Sequence, residues 1–453
     1  MNEDMHVLTW VTMILLIMEL ACGSPILTEE EIRSLQKEDP VSYSGYKLFR
    51  TDVALVELPV VDSLGRSDGV DVWSWRKKAK EPQYEVDLLT PPAAVQKVRE
   101  VFSEYNLTYQ EVINDLQSAI NEEHNGEDEF FSWNRPAHPM TWQKYHSSQD
   151  MNLYLDYLQS QYPDLVTIMD IGLSFENRPL RVAKVSNGTN KPAVWIDGGI
   201  HAREWVSSAT AMYILHRLVE FSWEEPDLIS NFDWYIMPMS NPDGYEYSRH
   251  HDRLWRKNRS VDPRHPQCVG ADPNRNFGFQ WLTGGSSDNP CSSVYAGREA
   301  FSEPETRAIG NFLLDHKDQL KVYATLHAYS QMWMLPWGYT LKSPAAYNDM
   351  IDVGRLATLA IRENNGTEYA LGQITELMYI ASGNSGDYAH SIGIPYSYCL
   401  ELRDLGHYGF ILPKEQIEPT GNETYQGIKA MVRGVYAKLF PVNQTLPAML
   451  QAS

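Results

Sequence analysis

One stretch, residues 194–205, restricts the fold of this chain more than any other. An apolar run is followed by the glycine pair Gly198 and Gly199, and then by His201 and Glu204. Glycines allow a sharp bend where a strand ends, and open α/β sheets place their sites at the carboxyl ends of strands. The spacing predicts that His201 and Glu204 lie on one face of a helical turn, as two candidate zinc ligands. An ordinary capped helix start explains the same pattern unless a third ligand exists.

Two other strand ends carry groups that would complete a catalytic metal site. The apolar run 320–326 is followed by His327, and the run 394–400 is followed by Glu401. Two histidines and a glutamate with an open fourth position form a known catalytic zinc set. A further carboxylate, here Glu401, could then take a proton from water at the metal. The alternatives are a structural histidine and a surface ion pair between Glu401 and Arg403.

Together with several other segments, these residues resemble the zinc metallocarboxypeptidases of the digestive A/B type. The resemblance covers the chain from about Trp142 to Phe440. Its other segments are LWRKNRS at 254–260, DPNRN at 272–276, MYIASG at 378–383 and ELRDLGHYGF at 401–410. The order and separation of these segments, rather than any single one, make the resemblance specific.

The resemblance implies a role for each catalytic residue. His201, Glu204 and His327 would hold one Zn²⁺. Asp272 would accept a hydrogen bond from a ligand histidine and so fix its tautomer. Glu401 would act as general base and later as the acid that protonates the leaving amine. Arg256 would stabilise the oxyanion, a kind of contact that typically supplies roughly 3 kcal/mol.

The resemblance also implies which residues contact the substrate. Asn274 and Arg275 would bind its terminal carboxylate, and Tyr379 would close over that carboxylate from a mobile loop. The positions upstream of the scissile bond would be lined by Arg203, Tyr329 and Phe410. Without the resemblance, Arg256 could belong to a basic surface segment, residues 274–276 to a polar turn, and Tyr379 to the core.

The resemblance extends to the pocket for the C-terminal side chain of the substrate. The resemblance implies that it is formed by Gly338, Ile374, Ala381, Ser385, Gly386 and Cys399. Relatives that prefer apolar C-terminal residues look bulky and apolar at the position of Gly386, and those that prefer Lys or Arg carry an acid there. Glycine enlarges the pocket without adding charge, and a cationic side chain needs a carboxylate. We therefore expect large apolar or aromatic C-terminal residues, with a Lys/Arg preference as the alternative.

The N-terminal region predicts a secreted precursor. Residues 7–21 form an apolar run of the length of a secretory signal, too short to cross a bilayer, and small residues follow it. We expect a signal peptide at 1–23, although its start is acidic and an uncleaved anchor is the alternative. The following segment, 24–130, resembles the inhibitory prodomain of the same family. An unrelated binding module is the alternative.

Within that segment we expect a two-layer α+β domain. Alternating patterns predict strands at 46–50, 53–60 and 84–89, and apolar spacing predicts helices at 93–105 and 109–123. An acidic, loop-like connector follows at 131–141, where cleavage would activate the enzyme. Its only Lys or Arg is Arg135, which precedes Pro136. Because trypsin-like proteases cut such bonds poorly, we expect another activating protease or a cleavage upstream, near Arg99.

The catalytic part, 142–440, is expected to be a doubly wound α/β domain, a mixed central sheet with helices on both faces. Apolar runs of strand length lie at 193–196, 234–237, 322–326 and 396–400. Helical patterns lie between them at 207–221, 303–316 and 345–363. A short tail, 441–453, follows.

The cysteines and the charge agree with an extracellular enzyme. Cys22 would leave with the signal peptide, and the resemblance implies a disulfide between Cys268 and Cys291. Cys399 is expected to be a buried, unpaired thiol. Sequons, as at Asn187, are compatible with glycosylation, but Asn258 lies in the arginine segment and is expected to stay bare. The net charge of −21 argues against nucleic acid as a partner, and the resemblance suggests a monomer.

Three functional hypotheses follow. The first is a secreted zinc exopeptidase that removes C-terminal residues, made as a zymogen that its own prodomain inhibits. The second is a binding protein on an inactive carboxypeptidase scaffold, which would require loss of a catalytic group, and none is lost. The third is a zinc endopeptidase or amidase. It is disfavoured because Asn274, Arg275 and Tyr379 have a use only where the substrate ends.

Overall fold

A computed structural model describes residues 39–67, 69–78, 83–124 and 138–441. Within these residues the strands are β1 (Lys47–Ala54), β2 (Asp71–Lys77), β3 (Gln83–Thr90), β4 (Tyr109–Ile113), β5 (Val166–Leu173), β6 (Pro179–Val185), β7 (Ala193–Asp197), β8 (Asp233–Met237), β9 (Leu320–His327), β10 (Met332–Leu335), β11 (Ala370–Gln373) and β12 (Tyr396–Glu401). The helices are α1 (Leu58–Ser67), α2 (Val95–Glu104), α3 (Leu116–His124), α4 (Ser148–Gln161), α5 (Trp205–Glu220), α6 (Pro226–Asn231), α7 (Pro242–His250), α8 (Pro304–His316), α9 (Tyr347–Asn365), α10 (Ile374–Leu377), α11 (Ser385–Ser391) and α12 (Ile417–Leu439).

The expected signal peptide with Cys22, the residues around Arg135 and the tail after Pro441 lie outside the described residues. Among the residues that are described, no helix is both apolar and long enough to cross a membrane. The domain boundaries given above stay predictions.

The N-terminal part forms a four-stranded antiparallel sheet in the order β2-β3-β1-β4. One face of this sheet packs on α1 and α2 through a small apolar core that includes Phe49, Val86, Val98 and Phe102. The expected α+β architecture is therefore present. One of the elements predicted for it is wrong, and another is partly wrong.

The strand predicted at 53–60 is wrong, because β1 ends at Ala54 and α1 begins at Leu58. Proline is well tolerated in the first helical turn, where Pro59 lies, and it would remove a hydrogen bond from a strand. Val61 and Leu64 are spaced for one helix face, and both are buried. Packing of that face against the sheet outweighs the β propensity of the valines.

The helix predicted at 109–123 is partly wrong. Its first half is the strand β4, and only its second half is helical, as α3. Asp115 separates the two, because its Oδ1 atom accepts the backbone N–H groups of Gly45 at 3.1 Å and Gln117 at 3.2 Å. Such side-chain bonds compete with a continuous helix and favour a turn.

The catalytic part contains an eight-stranded sheet in the order β11-β10-β12-β9-β7-β8-β6-β5. The four central strands, β12, β9, β7 and β8, are parallel, and antiparallel pairings appear toward both edges. One face packs on α5, α9 and α12, and the other packs on α8 and α11. The predicted mixed sheet with helices on both faces is confirmed.

The structure shows the state of three cysteines and of the sequon at Asn258. Cys268 and Cys291 form a disulfide with their Cα atoms 4.7 Å apart. Cys399 is a buried free thiol on β12, and burial raises its pKa well above the ordinary value. Asn258 is also buried, and its amide donates to Glu303 and Glu305, so it has no room for a glycan.

Candidate metal and substrate site

The carboxyl ends of three neighbouring parallel strands meet at one edge of the large sheet. β9 ends at His327 and β12 ends at Glu401, and these two residues are partners in the strand register. β7 ends at Asp197, from which the chain leads directly to His201. This arrangement is the one in which doubly wound sheets place their ligands.

The sequence suggested that His201 and Glu204 lie on a helical turn. In the structure they lie instead in a non-helical turn that precedes α5. The backbone N–H of Glu204 donates to the carbonyl of His201 at 3.2 Å, and α5 begins at the next residue, Trp205. Glu204 itself has φ −92° and ψ 62°, which is not helical. The turn depends on Gly199, whose φ is +69° and where a Cβ would lie 2.4 Å from the Ser208 hydroxyl. The three-residue spacing still brings both side chains to one place.

His201, Glu204 and His327 form a compact group whose ligand atoms all lie within 4.8 Å of one another. The Nδ1 atom of His201 lies 2.8 Å from Glu204 Oε1, and the Nδ1 atom of His327 lies 3.1 Å from Glu204 Oε2. Burial acts to raise the pKa of Glu204, but the two imidazoles outweigh it and hold that pKa well below its ordinary value. Burial also lowers the pKa of His327. An ionised carboxylate and neutral imidazoles are the forms that bind zinc, so the donor set fits Zn²⁺.

Asp272 connects the metal group to Arg256. Its Oδ1 atom lies 3.2 Å from Nε2 of His201, the ring nitrogen that faces away from Glu204. Its Oδ2 atom accepts hydrogen bonds from Nη2 and Nε of Arg256 at 2.9 and 3.1 Å. Burial acts to raise the pKa of Asp272, but Arg256 and His201 hold it well below its ordinary value. A carboxylate in this position orients a ligand histidine.

Glu401 faces the same space as the metal group. Its Oε2 atom is buried and has no hydrogen-bond partner among the described residues. Burial, followed by the negative charge of Glu204, raises the pKa of Glu401 well above its ordinary value. A carboxyl group with a raised pKa and a free oxygen can both accept and return a proton.

The residues expected at the substrate carboxylate also converge here. Arg275 is buried, and its guanidinium is positioned by the carbonyls of Gly285 and Asn274, both at 2.9 Å. Asn274 donates to Nε2 of His327 at 3.3 Å and accepts the N–H of Ser385 at 2.9 Å. Tyr379 lies in the loop after α10, where it lines the cavity and is 37% exposed.

One cavity is shared by most of the residues that the sequence singled out. Its predicted members are His201, Glu204, Arg256, Asn274, Arg275, His327, Tyr329, Ile374, Tyr379, Ala381, Ser385, Gly386, Cys399, Glu401 and Phe410. Three predicted residues do not line it. Asp272 lies behind Arg256, Arg203 lies over the Phe410 ring at 4.1 Å, and Gly338 lies behind Asn384 and Ala381.

The sequence analysis missed further residues of the cavity wall, among them Trp73, Ser74, Thr325, Met334, Met378 and Asn384. For Thr325 a signal existed, because it precedes His327 by two residues on one strand and so shares its face. The side chains from the N-terminal sheet had no such signal.

The N-terminal sheet covers, through strand β2, one end of the cavity, the end expected to bind the substrate upstream of the scissile bond. The indole of Trp73 packs against the rings of Phe410 and Tyr329, with centroids 4.9 and 6.5 Å away. Asp71 accepts a hydrogen bond from Arg203 at 2.7 Å. A substrate chain that extends upstream from the metal group would need the same surface.

The Tyr329 hydroxyl adds a second polar contact with this sheet. It donates to Asp87 of β3 at 2.6 Å. Arg203, Tyr329 and Phe410, which the sequence analysis placed at the upstream positions, are thus all in contact with the N-terminal sheet.

Comparisons with known proteins agree with both parts of the molecule. Residues 151–427 match the family model described as zinc carboxypeptidase. Residues 56–123 match the model described as carboxypeptidase activation peptide. The second match includes Trp73 and Asp87, which contact the cavity rim. The covering sheet is therefore an activation peptide.

Among curated relatives, carboxypeptidase B of Astacus astacus is 45% identical over 65% of this chain and 98% of its own length. Carboxypeptidase A2 of Mus musculus is 38% identical over 81% of this chain and 87% of its own. The crystal structure of carboxypeptidase A from Helicoverpa armigera superposes with a TM-score of 0.80 at 30% identity, covering 87% of this chain and 98% of that one. The chain belongs to the zinc carboxypeptidase family and is a metallocarboxypeptidase that carries its own activation peptide.

Proposed function

We propose that this zymogen is a secreted exopeptidase that removes large apolar or aromatic residues from the C-termini of peptides and proteins. One observation carries the proposal. The zinc-type ligand group, the free oxygen of Glu401 and the guanidinium of Arg275 share a single cavity, and the activation peptide covers its upstream end. Such a cavity suits a substrate peptide that enters from one side and has its C-terminus inside the cavity.

His201, Glu204 and His327 would hold the zinc ion, which when bound supplies a Lewis acid for the scissile carbonyl. Asp272 keeps the proton of His201 on Nε2 and so presents Nδ1 to the metal. Glu401 takes a proton from the attacking water and later passes it to the nitrogen of the leaving amine. The raised pKa of Glu401 suits this double role, since a stronger base accepts the proton more readily.

Arg256 and Arg275 would each stabilise one negative charge, Arg256 the developing oxyanion and Arg275 the terminal carboxylate of the substrate. Arg256 has two nitrogens occupied by Asp272, while its Nη1 atom lies 3.7 Å from Glu204 Oε1 and so faces the reaction centre. From there it can stabilise a developing oxyanion. Arg275 would bind the terminal carboxylate of the substrate with Asn274, and Tyr379 would close over it.

The preference for apolar or aromatic residues rests on the charge of the pocket. Asp387, the nearest acid to Gly386 in sequence, turns both oxygens toward the backbone N–H groups of Gly338 and Tyr339, at 2.8 to 3.1 Å. It is therefore engaged by the backbone. Specificity for Lys and Arg is the second candidate, because the relative from Astacus astacus is named carboxypeptidase B.

The remaining features of the proposal concern secretion, the oligomeric state and activation. The protein would be secreted and act as a monomer. An activating cut near Arg99 is disfavoured because Arg99 lies within α2 and pairs with Glu111; proteases prefer exposed loops. We therefore favour an activating protease that is not trypsin-like and that cuts between residues 125 and 141.

The test is hydrolysis of blocked dipeptides that end in Phe, Leu, Lys, Arg or Glu, before and after removal of the activation peptide. Each substrate is assayed with and without a zinc chelator. We expect chelator-sensitive release of Phe and Leu, chiefly after removal. Preferential release of Lys or Arg would contradict the proposed specificity and keep the reaction. Absence of any release from a zinc-loaded protein would contradict the proposed function.

A further inference from the structure

The backbone that carries Arg256 lies in no helix or strand. Its polar groups therefore have no partners from a regular ladder and need other ones. The carbonyl of Arg256 accepts the N–H of Ala202, the residue after the ligand His201, at 3.1 Å. The carbonyl of the next residue, Lys257, accepts a hydrogen bond at 3.1 Å from a side chain that the sequence analysis did not single out, that of Asn241.

Asn241 is fully buried and bridges two parts of the site. Its Nδ2 atom donates to the carbonyl of Lys257 and also to the carbonyl of Ile200, at 3.2 Å. An amide nitrogen has two hydrogens, so each carbonyl takes one of them. Ile200 precedes His201 in the chain, and Lys257 follows Arg256. The side chain thus connects the turn that holds the metal ligands with the segment that holds the arginine.

The remaining polar atoms of Asn241 fix its own position. Its Oδ1 atom accepts the N–H of Gly244 at 3.0 Å and so caps the start of α7. Its backbone N–H donates to the carbonyl of Gly199 at 3.1 Å. Two carbonyl partners on one side and an N–H partner on the other permit only one orientation of the amide. Asn241 is therefore a fixed point to which both parts of the site are attached.

The close approach of α7 to the arginine segment is a second, independent observation. A Cβ on Gly244 would lie 2.3 Å from the carbonyl oxygen of Lys257 and 2.6 Å from Nδ2 of Asn241. Only a residue without a side chain leaves room for that carbonyl to reach the amide. A helix cap needs only the Oδ1 atom. The contact with Lys257 thus goes beyond what the start of α7 requires.

We propose that Asn241 is a positioning residue that holds Arg256 in register with His201, so that the guanidinium faces the point where the oxyanion forms. This inference rests on the oxyanion role proposed for Arg256 and deepens it. Asn241 does not touch the substrate. Because Arg275 is positioned by other carbonyls, Asn241 affects the reaction step and leaves the binding of the terminal carboxylate unchanged.

The N241S variant separates the bridge from the helix cap. Serine is a good N-cap, but its single hydroxyl hydrogen cannot serve both carbonyls. Removal of an oxyanion donor costs roughly 10²- to 10³-fold in kcat, and displacement costs part of that. On a blocked dipeptide ending in Phe, the activated variant should show a kcat about tenfold lower than the wild type, with KM within about twofold. Zinc content, measured by metal analysis, should stay at one ion per chain.

The N241D variant tests the bridge in a side chain of the same shape. Aspartate also caps a helix, but it turns an oxygen instead of a donor toward the two carbonyls. Its kcat should fall at least as far as that of N241S. The control is S147A, which removes the cap of α4, where the Ser147 hydroxyl accepts the N–H of Asp150 at 3.1 Å. S147A should lower the urea midpoint of unfolding and leave kcat unchanged.

A double-mutant cycle identifies the group through which Asn241 acts. In the R256A background, N241S should change kcat by less than about twofold, because no guanidinium is left to position. An equal fall in both backgrounds overturns the inference. So does a wild-type kcat in N241S and N241D, a rise in KM at constant kcat, or a loss of zinc. These outcomes leave the exopeptidase in place, whereas a wild-type enzyme that releases no terminal residue contradicts the proposed function itself.

Discussion

Glu123 of the activation peptide and Arg253 of the catalytic part form a buried, bidentate ion pair. Nε and Nη2 of Arg253 donate to the two Glu123 oxygens at 2.6 and 2.8 Å, and both side chains are almost fully buried. Arg253 also donates to the carbonyls of Arg203 and Phe410 at 2.9 and 2.7 Å. The pair therefore ties the end of α3 to the residues at the upstream end of the cavity.

Replacing Glu123 by glutamine should weaken the hold of the activation peptide. Loss of one partner leaves a buried guanidinium uncompensated, which typically costs about 3–5 kcal/mol. We expect the uncleaved E123Q protein to hydrolyse a blocked dipeptide at least tenfold faster than the uncleaved wild type. The exposed neighbour supplies a matched control, E122Q, which should stay as latent as the wild type. Equal latency of E123Q would show that the ion pair does not hold the peptide in place.

Replacing Glu401 by glutamine should remove the general base and leave the metal bound. The amide cannot accept and return a proton, so kcat should fall by about 10²- to 10⁴-fold. Zinc content, measured by metal analysis of the dialysed protein, should stay at one ion per chain. E415Q, a change at an exposed position, is the control for both readouts. If E401Q lost its zinc together with its activity, Glu401 would be a ligand rather than a base.

Asp387 should give the protein a specific pH dependence of stability. Burial raises its pKa to about 6 from an ordinary 3.8, against the opposing effect of the Gly338 and Tyr339 N–H groups. Between about pH 4 and pH 6 the folded state keeps a proton that the unfolded chain releases, so the free energy of unfolding falls as the pH rises through this window. A shift of roughly two units corresponds to about 3 kcal/mol.

The D387N variant does not titrate, so it isolates this effect. Its free energy of unfolding relative to the wild type should rise by about 3 kcal/mol between about pH 4 and pH 7, measured in urea with excess zinc. D318N, at an exposed position, should show no such change. Parallel pH profiles for D387N and the wild type would mean that Asp387 titrates normally.

An acid at position 386 should reverse the charge preference of the pocket. Gly386 lines the cavity and its backbone accepts a Cβ without a close contact, so G386D places a carboxylate at the cavity wall. A cationic C-terminal side chain then gains a counter-ion, and we expect the Lys-to-Phe ratio of kcat/KM to rise by about 100-fold. G386N is the neutral control of equal size. An unchanged ratio in G386D would mean that position 386 does not face the C-terminal side chain.

The central strands and the metal group could be predicted because their signals are local. β7, β8, β9 and β12 are buried on both faces and read as continuous apolar runs, and each was predicted to within a few residues. The edge strand β5 was missed because half-exposed and exposed residues, such as Asp170, interrupt its pattern. Short strands such as β10, with four residues, fall below the length that periodicity can resolve.

The contacts of the activation peptide could not be predicted in the same way. Asp71, Trp73 and Asp87 reach the cavity rim because two separately folded sheets dock, and no periodicity reports which surfaces meet. The wrong strand at 53–60 has a related cause. Whether Val61 and Leu64 pack as a helix face depends on the sheet beneath them, and that sheet is formed by distant segments.

The most direct test of the central claim compares two peptides that differ only in a free or an amidated C-terminus. Arg275 can bind a carboxylate but gains nothing comparable from a neutral amide. The activated enzyme should release the terminal Phe from the peptide with the free C-terminus with a kcat/KM at least 100-fold higher than from the amidated peptide. Neither peptide should be cleaved at an internal bond. Equal cleavage of both peptides, or products cut inside the chain, would contradict an exopeptidase that recognises the end of its substrate.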